Sequence, residues 1–237
     1  MKLAAIICAR MESTRLPGKA MLPLDGVPMI QIIYERASQL FGVQDVVIAT
    51  ADTEANRVFE EFSDVFYGCE TNVLARMIGA AEAVGATDII RLTGDNPIID
   101  RDVWDITLEM FLGGFDYCTI TGLPAGTQIE IMNVDCLRMI RDLATDDLYF
   151  LEHPTQGFYH FSDFNKFIES ASGIWKRNYR LTIDEQDDYR LMSIVFDRLG
   201  INVTLEEAIE YLDANPGVAG INAHVRQQNI IGEIPTS

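Results

Sequence analysis

A doubly wound, mostly parallel α/β sheet is the architecture expected from this sequence, and two patterns point to it. Short apolar runs bounded by turn residues alternate with stretches of helical period through the first half of the chain. Those runs are apolar at successive positions, as strands covered by helices on both faces must be. Strands are expected at Leu3–Cys8, Asp45–Thr50, Val65–Tyr67, Asp88–Leu92 and Asp116–Ile120. Helices are expected at Met29–Leu40, Thr53–Phe62, Asn72–Val84 and Val103–Leu112. Between Gln128 and Asn178 the alternation lapses into an aromatic-rich section. Residues 121–178 therefore read as a small α+β insertion over one end of the sheet and as a candidate homodimer interface. The pattern returns with a strand at Tyr179–Ile183 and helices at Gln186–Leu199 and Leu205–Asp213. Residues after Asn215-Pro216-Gly217 read as a packed or partly mobile tail, and residues 1–237 as one domain.

The chain carries 18 Lys and Arg against 36 Asp and Glu, a formal net charge of −18, and 48% of it is hydrophobic. That balance argues against binding along a nucleic-acid backbone, because the general field repels phosphate. No apolar run approaches the roughly 20 residues of a membrane span, and the first strand lacks the basic leader of a secretory signal. Cys8, Cys69, Cys118 and Cys136 show no CxxC pairing and read as buried thiols of a cytoplasmic protein.

Within so acidic a chain, Ala9-Arg10-Met11-Glu12-Ser13-Thr14-Arg15-Leu16-Pro17-Gly18-Lys19 places three cations in one loop. The loop follows the first strand, where an open α/β sheet binds its ligand. Hydroxyls and unhindered amides make it a candidate phosphate site. It is not a Walker A loop: Ala20 replaces the magnesium-holding Ser/Thr, and Ser13 stands where the first glycine belongs. Two further strands end on acidic clusters at the same edge, Arg91-Leu92-Thr93-Gly94-Asp95-Asn96-Pro97-Ile98-Ile99-Asp100 and Arg180-Leu181-Thr182-Ile183-Asp184-Glu185-Gln186-Asp187-Asp188. Asp95 and Asp184 suit a shared Mg²⁺ facing a triphosphate. The other reading of these carboxylates is helix capping: Asp95 or Asp100 before Val103, Asp184 before Gln186.

These segments, with GCETNVLARM, GLPAGTQIEIMN and INAHVRQQ, resemble the cytidylyltransferase family over nearly the whole chain, and most closely its spore coat polysaccharide branch. CMP-Kdo, CMP-sialic acid and CMP-legionaminic acid synthetases are wider relatives. The resemblance implies a nucleotide-diphospho-sugar transferase-like fold. It also implies Mg²⁺-dependent transfer of a nucleoside monophosphate, CMP from CTP foremost, to a sugar, with release of pyrophosphate. Carried over, Arg10, Arg15 and Lys19 clamp the triphosphate. Asp95 and Asp184 hold Mg²⁺, with Arg15, Lys19 and Asp95 catalytic. Ala9, Thr50, Arg76 and Arg91 line the nucleotide pocket, and Gln128, Glu130, Glu152 and His153 face the sugar. Two positions depart from the family pattern: Glu12 stands where a small residue is usual, and Pro154 where an aliphatic one is expected. A guanylyl- or uridylyltransferase acting on a sugar 1-phosphate keeps the chemistry and changes the substrates. A glycosyltransferase would carry Asp-x-Asp where Asp95-Asn96-Pro97 stands, and a non-catalytic nucleotide-binding regulator would use Glu12 to repel phosphate.

Overall fold

In a computed structural model, described over residues 1–145 and 147–226, seven strands form one sheet in the order β5-β4-β1-β6-β8-β7-β9. These are β1 (Leu3–Cys8), β4 (Val43–Ala51), β5 (Asp64–Gly68), β6 (Asp88–Thr93), β7 (Tyr117–Thr121), β8 (Glu130–Asn133) and β9 (Lys166–Ser170). Strand β8 runs antiparallel to its neighbours β6 and β7, and the remaining pairings are parallel. Inside the sheet, between β4 and β6, lies the apolar β1, whose alternate side chains feed two cores. Leu3, Ala5 and Ile7 pack in the core containing residues of α1 (Met29–Ser38), α3 (Arg101–Leu112), α7 (Gln186–Leu199) and α8 (Leu205–Ala214). Ala4 and Ile6 pack in the core built with α2 (Val73–Ala83), α4 (Val134–Ala144) and α6 (Gln156–His160). The result is a mostly parallel sheet with helices on both faces.

The helices begin where their capping residues stand. Asn72 accepts from the Ala75 amide at 2.8 Å to start α2, Asn133 accepts from Asp135 and Cys136 to start α4, and Thr204 with Glu207 forms a capping box for α8. A short hairpin, β2 (Pro23–Leu24) with β3 (Val27–Pro28), turns at Asp25-Gly26, where both residues have positive φ. It leads directly into α1.

Several expectations are corrected. Thr53–Phe62 contains a 3₁₀ helix over Glu54–Glu61 rather than an α-helix. Tyr179–Ile183 is not a strand: it makes a single bridge, Ala125 to Arg180. Strands β8 and β9 were not anticipated, and both come from residues 121–178, which also supply α4, α5 (Leu148–Glu152) and α6. Within that section Phe158 and Phe164 are buried, Phe158 stacks on Tyr117 and Phe164 packs against Phe158, so these aromatics build core. Cys69 is exposed, whereas Cys118 and Cys136 are buried. The tail begins with α9 (Pro216–Ala219) and then buries Asn222. Gln227 and Gln228, which end the INAHVRQQ motif, lie outside the described residues. No helix among the described residues is long and apolar enough to cross a membrane.

Candidate active site

The carboxyl ends of β1, β5 and β6 open onto a cleft of about 400 Å³ whose rim is the basic loop. The loop is shaped by its own backbone and by one buried side chain. Met11 O accepts from the Ser13 and Gly18 amides, and Asn56 Oδ1 accepts from the Met11 amide at 2.8 Å. Asn56 also donates to Ala51 O, so the 3₁₀ helix ties the loop to the end of β4. Gly94 permits the loop to cross β6 closely, since a Cβ there would lie 2.6 Å from Ala9 Cβ.

Three parts of the chain meet at the cleft floor. Lys19 Nζ lies 2.8 Å from both Asp95 Oδ2 and Asp184 Oδ1. Arg15 reaches Asp184 at 3.0 Å, and Arg180 donates to the other Asp184 oxygen at 2.7 Å. Thr93 donates to Asp95 at 2.6 Å. The Lys19 and Asp184 side chains are only 13% and 15% exposed, so solvent screens this cluster weakly. Burial disfavours the Lys19 ammonium, but Asp95 and Asp184 more than reverse this and raise its pKa. Burial likewise disfavours the Asp184 carboxylate, yet Lys19, Arg15 and Arg180 hold its pKa below the ordinary value.

Capping is handled by neighbouring acids. Asp100 accepts from the Asp102 and Val103 amides at the start of α3 and from the Leu205 amide at the start of α8. Buried Asp188 accepts from the Asp184 and Glu185 amides before α7 and is held by Arg180 and Asn222. Asp95 and Asp184 are left to face the cations. A pair of carboxylates without nitrogen or sulfur donors matches Mg²⁺, which takes one or two carboxylates and completes its shell with phosphate oxygen and water. Among the described residues no group of three or more His, Cys, Asp or Glu forms a self-contained metal cage.

A second cleft of about 330 Å³ adjoins the first and includes Gln128, Glu130, Thr155, Gln156 and Thr182 in its lining. Gly126, with φ of 93°, lets this wall close on Thr182, whose amide would lie 2.6 Å from an added Cβ. Register places Glu130 of β8 opposite Arg91 of β6. The Glu130 carboxylate accepts from Arg91 at 2.7 Å and from the Tyr117 hydroxyl at 2.6 Å. The two clefts share Arg15, Arg91, Thr93, Asp95, His153 and Asp184.

The candidate residues distribute unevenly over this frame. Ala9, Arg10, Arg15, Lys19, Arg76, Arg91, Asp95 and Asp184 line the first cleft, and Gln128 and Glu130 the second. Arg76 is largely buried and donates to Cys69 O and Glu70 O, so it braces the turn after β5. Arg91, expected beside the base, sits on the shared wall. Glu152, expected toward the sugar, lines the first cleft, and His153 lines both. Thr50 lines neither: strand β4 continues through Ala51, which leaves Thr50 wholly buried on the face of Ile48. Glu12 is exposed, lies outside both clefts and accepts from Thr53 Oγ1 at 2.8 Å. Thr93, Thr155, Gln156 and Arg180 were missed. Thr93 and Arg180 had a usable signal, two and four residues before a singled-out Asp.

Comparison with known proteins decides the family, since its sequence profile, described as Cytidylyltransferase, matches residues 4–212. The chain belongs to the cytidylyltransferase family. It is therefore a nucleotidyltransferase. The spore coat polysaccharide biosynthesis protein SpsF of Bacillus subtilis is 34% identical over 228 residues, covering 90% of this cytidylyltransferase and 95% of SpsF. A 3-deoxy-manno-octulosonate cytidylyltransferase of Coxiella burnetii is 43% identical over 164 residues, 65% of this chain and 64% of its own. The solved structure of a cytidylyltransferase from Leptospira borgpetersenii superposes with a TM-score of 0.83 at 27% identity, covering 92% of this chain and 97% of that one.

Proposed function

We propose that this cytidylyltransferase transfers CMP from CTP to the hydroxyl of an acidic sugar, with Mg²⁺, and releases pyrophosphate for surface glycan synthesis. The observation that carries this reading is the wall shared by the two clefts. A triphosphate in the first cleft and an acceptor in the second would meet there, beside Asp95, Asp184, Arg15 and Arg91. The Coxiella relative, named for a sugar acid, supports an acidic acceptor.

Arg15 offers a planar fork to phosphate oxygens, and Lys19 a point charge. Lys19 now occupies the space between the two carboxylates. On this reading Asp95 and Asp184 would hold the metal, and Lys19 would then be free to contact the triphosphate. Bound there, Mg²⁺ supplies charge neutralisation as the α-phosphorus is attacked. Arg180 and the Asp188 carboxylate keep Asp184 oriented through the exchange. Gln128 and Arg91 hold and orient the acceptor. No nucleophilic side chain is required, because positioning and charge stabilisation account for this type of transfer.

Pyrophosphate release tests the proposal. CTP, UTP, GTP and ATP are each supplied with Mg²⁺ and with 3-deoxy-manno-octulosonate, sialic acid or sugar 1-phosphates. The reading expects release with CTP and a sugar acid, lost when Mg²⁺ is chelated. Release confined to UTP or GTP with a sugar 1-phosphate contradicts it.

A further inference from the structure

An acceptor hydroxyl that attacks phosphorus must lose its proton, and the group that takes it has to stand where the two clefts meet. Six side chains stand there. Arg15 and Arg91 are cations with no lone pair to offer. Asp95 and Asp184 would hold the metal on the reading above, and Asp184 is also paired with Arg15 and Arg180. The Thr93 hydroxyl is a weak base and already donates to Asp95. His153 is the remaining one, and histidine is the side chain whose ordinary titration falls between about pH 5 and 8.

We propose that His153 is the general base of the transfer, a role that rests on the nucleotidyl-transfer reading above. The acceptor O–H bond breaks and its proton passes to an imidazole nitrogen. The freed oxygen bonds to the α-phosphorus, the bond from that phosphorus to the bridging oxygen breaks, and pyrophosphate leaves. The imidazolium then returns its proton to solvent.

The fold positions His153 by two backbone hydrogen bonds and one ring contact. The His153 amide donates to Tyr149 O at 2.8 Å, which closes α5, and His153 O accepts from the Gln156 amide at 3.0 Å, which opens α6. The ring stands edge-to-face on Tyr149, with centroids 5.3 Å apart. Helix α6 is locked in turn, because Gly157 lies so close to Ile140 that an added Cβ would come within 2.6 Å of it. Burial, rather than the charges around the ring, favours the neutral form a base needs. Partial burial depresses the imidazole, adjacent Glu152 on α5 works against this, and Arg91 on β6 reinforces it, for a net lowering. Arg15, Asp95 and Asp184 face it across the shared wall, and Glu130 on β8 lies behind Arg91.

The test is steady-state kinetics of the full chain with CTP, Mg²⁺ and 3-deoxy-manno-octulosonate from about pH 5 to 9. Native kcat is expected to fall about tenfold per pH unit below the imidazole pKa. In His153→Gln that acid limb disappears, and kcat at pH 8 falls by about 10²-fold or more. His153→Ala, with an unchanged thermal midpoint, recovers activity when imidazole is added. A His153→Gln protein that keeps the native acid limb, or keeps kcat within about threefold, overturns the proposal. So does a folded His153→Ala protein that imidazole does not revive. Absence of pyrophosphate release from the native protein would instead remove the acceptor assignment, and the base with it.

Discussion

The two clefts offer a ligand opposite kinds of surface. The first is lined by Arg10 and Lys19 on one loop, and Lys19 and Arg15 lie against carboxylates that another cation can take. The second is lined by amide and hydroxyl side chains, Gln128, Thr155, Gln156 and Thr182, around one ion pair, Arg91 with Glu130. On the proposed reading, one region would exchange charge with its ligand, and the other would present a fixed hydrogen-bonding frame. The difference indicates why a chain of net charge −18 can bind a polyanion. On that reading Asp95 and Asp184 already have cationic partners, and binding would swap those partners rather than add bare repulsion.

The largest effect should come from breaking the exchangeable side. Asp184→Asn and Asp95→Asn are each expected to lower kcat about 10²-fold, roughly 3 kcal/mol of transition-state stabilisation, with the fold intact by circular dichroism. Near-native turnover of both variants at low Mg²⁺ would mean that the carboxylates serve only to hold Lys19. Breaking the fixed side should instead appear in stability. Glu130→Gln leaves the Arg91 guanidinium, 27% exposed, without its counter-charge. Full burial of such a lone charge costs about 3–5 kcal/mol. Partial access to water reduces the expectation to about 2 kcal/mol, a fall of about 4–8 °C in Tm by calorimetry.

Acid titration sharpens the contrast. Because the folded Asp184 pKa lies below its ordinary 3.8, its contribution to stability is complete above that value. It is lost as pH falls further, through the lowered folded pKa. Denaturant melts from pH 5 to 2 should therefore show a steeper loss of stability in the native protein than in Asp184→Asn. Parallel slopes would place the acid sensitivity elsewhere. The smallest effect is expected at Glu12. Its carboxylate is bonded to Thr53 outside the cleft, so Glu12→Gly should change the CTP KM by less than about tenfold. A larger gain in affinity would show that this carboxylate opposes the phosphate.

Legibility from the sequence followed the same division. The exchangeable side was readable because its parts are local: a basic loop directly after β1 and an Asp at the end of β6. Parallel buried strands announce themselves as apolar runs. Strand β8 does not. Its Glu130 and Asn133 look like loop residues until their partners are known, and those partners, Arg91 and Asp88, lie 39 and 45 residues away. Tyr179–Ile183 misled in the opposite sense: it has a strand's composition, but its backbone bonds go to Ala125 and Asp95 at a turn. Thr50 failed through the pleat, since alternation places it on the same buried face as Ile48 rather than toward the cleft. Arg91 was assigned to the nucleotide alone because the strand that pairs it with Glu130 was not foreseen.

The central claim is that the two clefts serve two substrates and meet at one wall, and separate KM values for CTP and for the acceptor sugar test it most directly. Lys19→Ala should raise the CTP KM about tenfold or more and leave the sugar KM within about threefold. Gln128→Ala should do the reverse. Parallel increases in both KM values for both variants would contradict the account and reduce the two clefts to a single binding site.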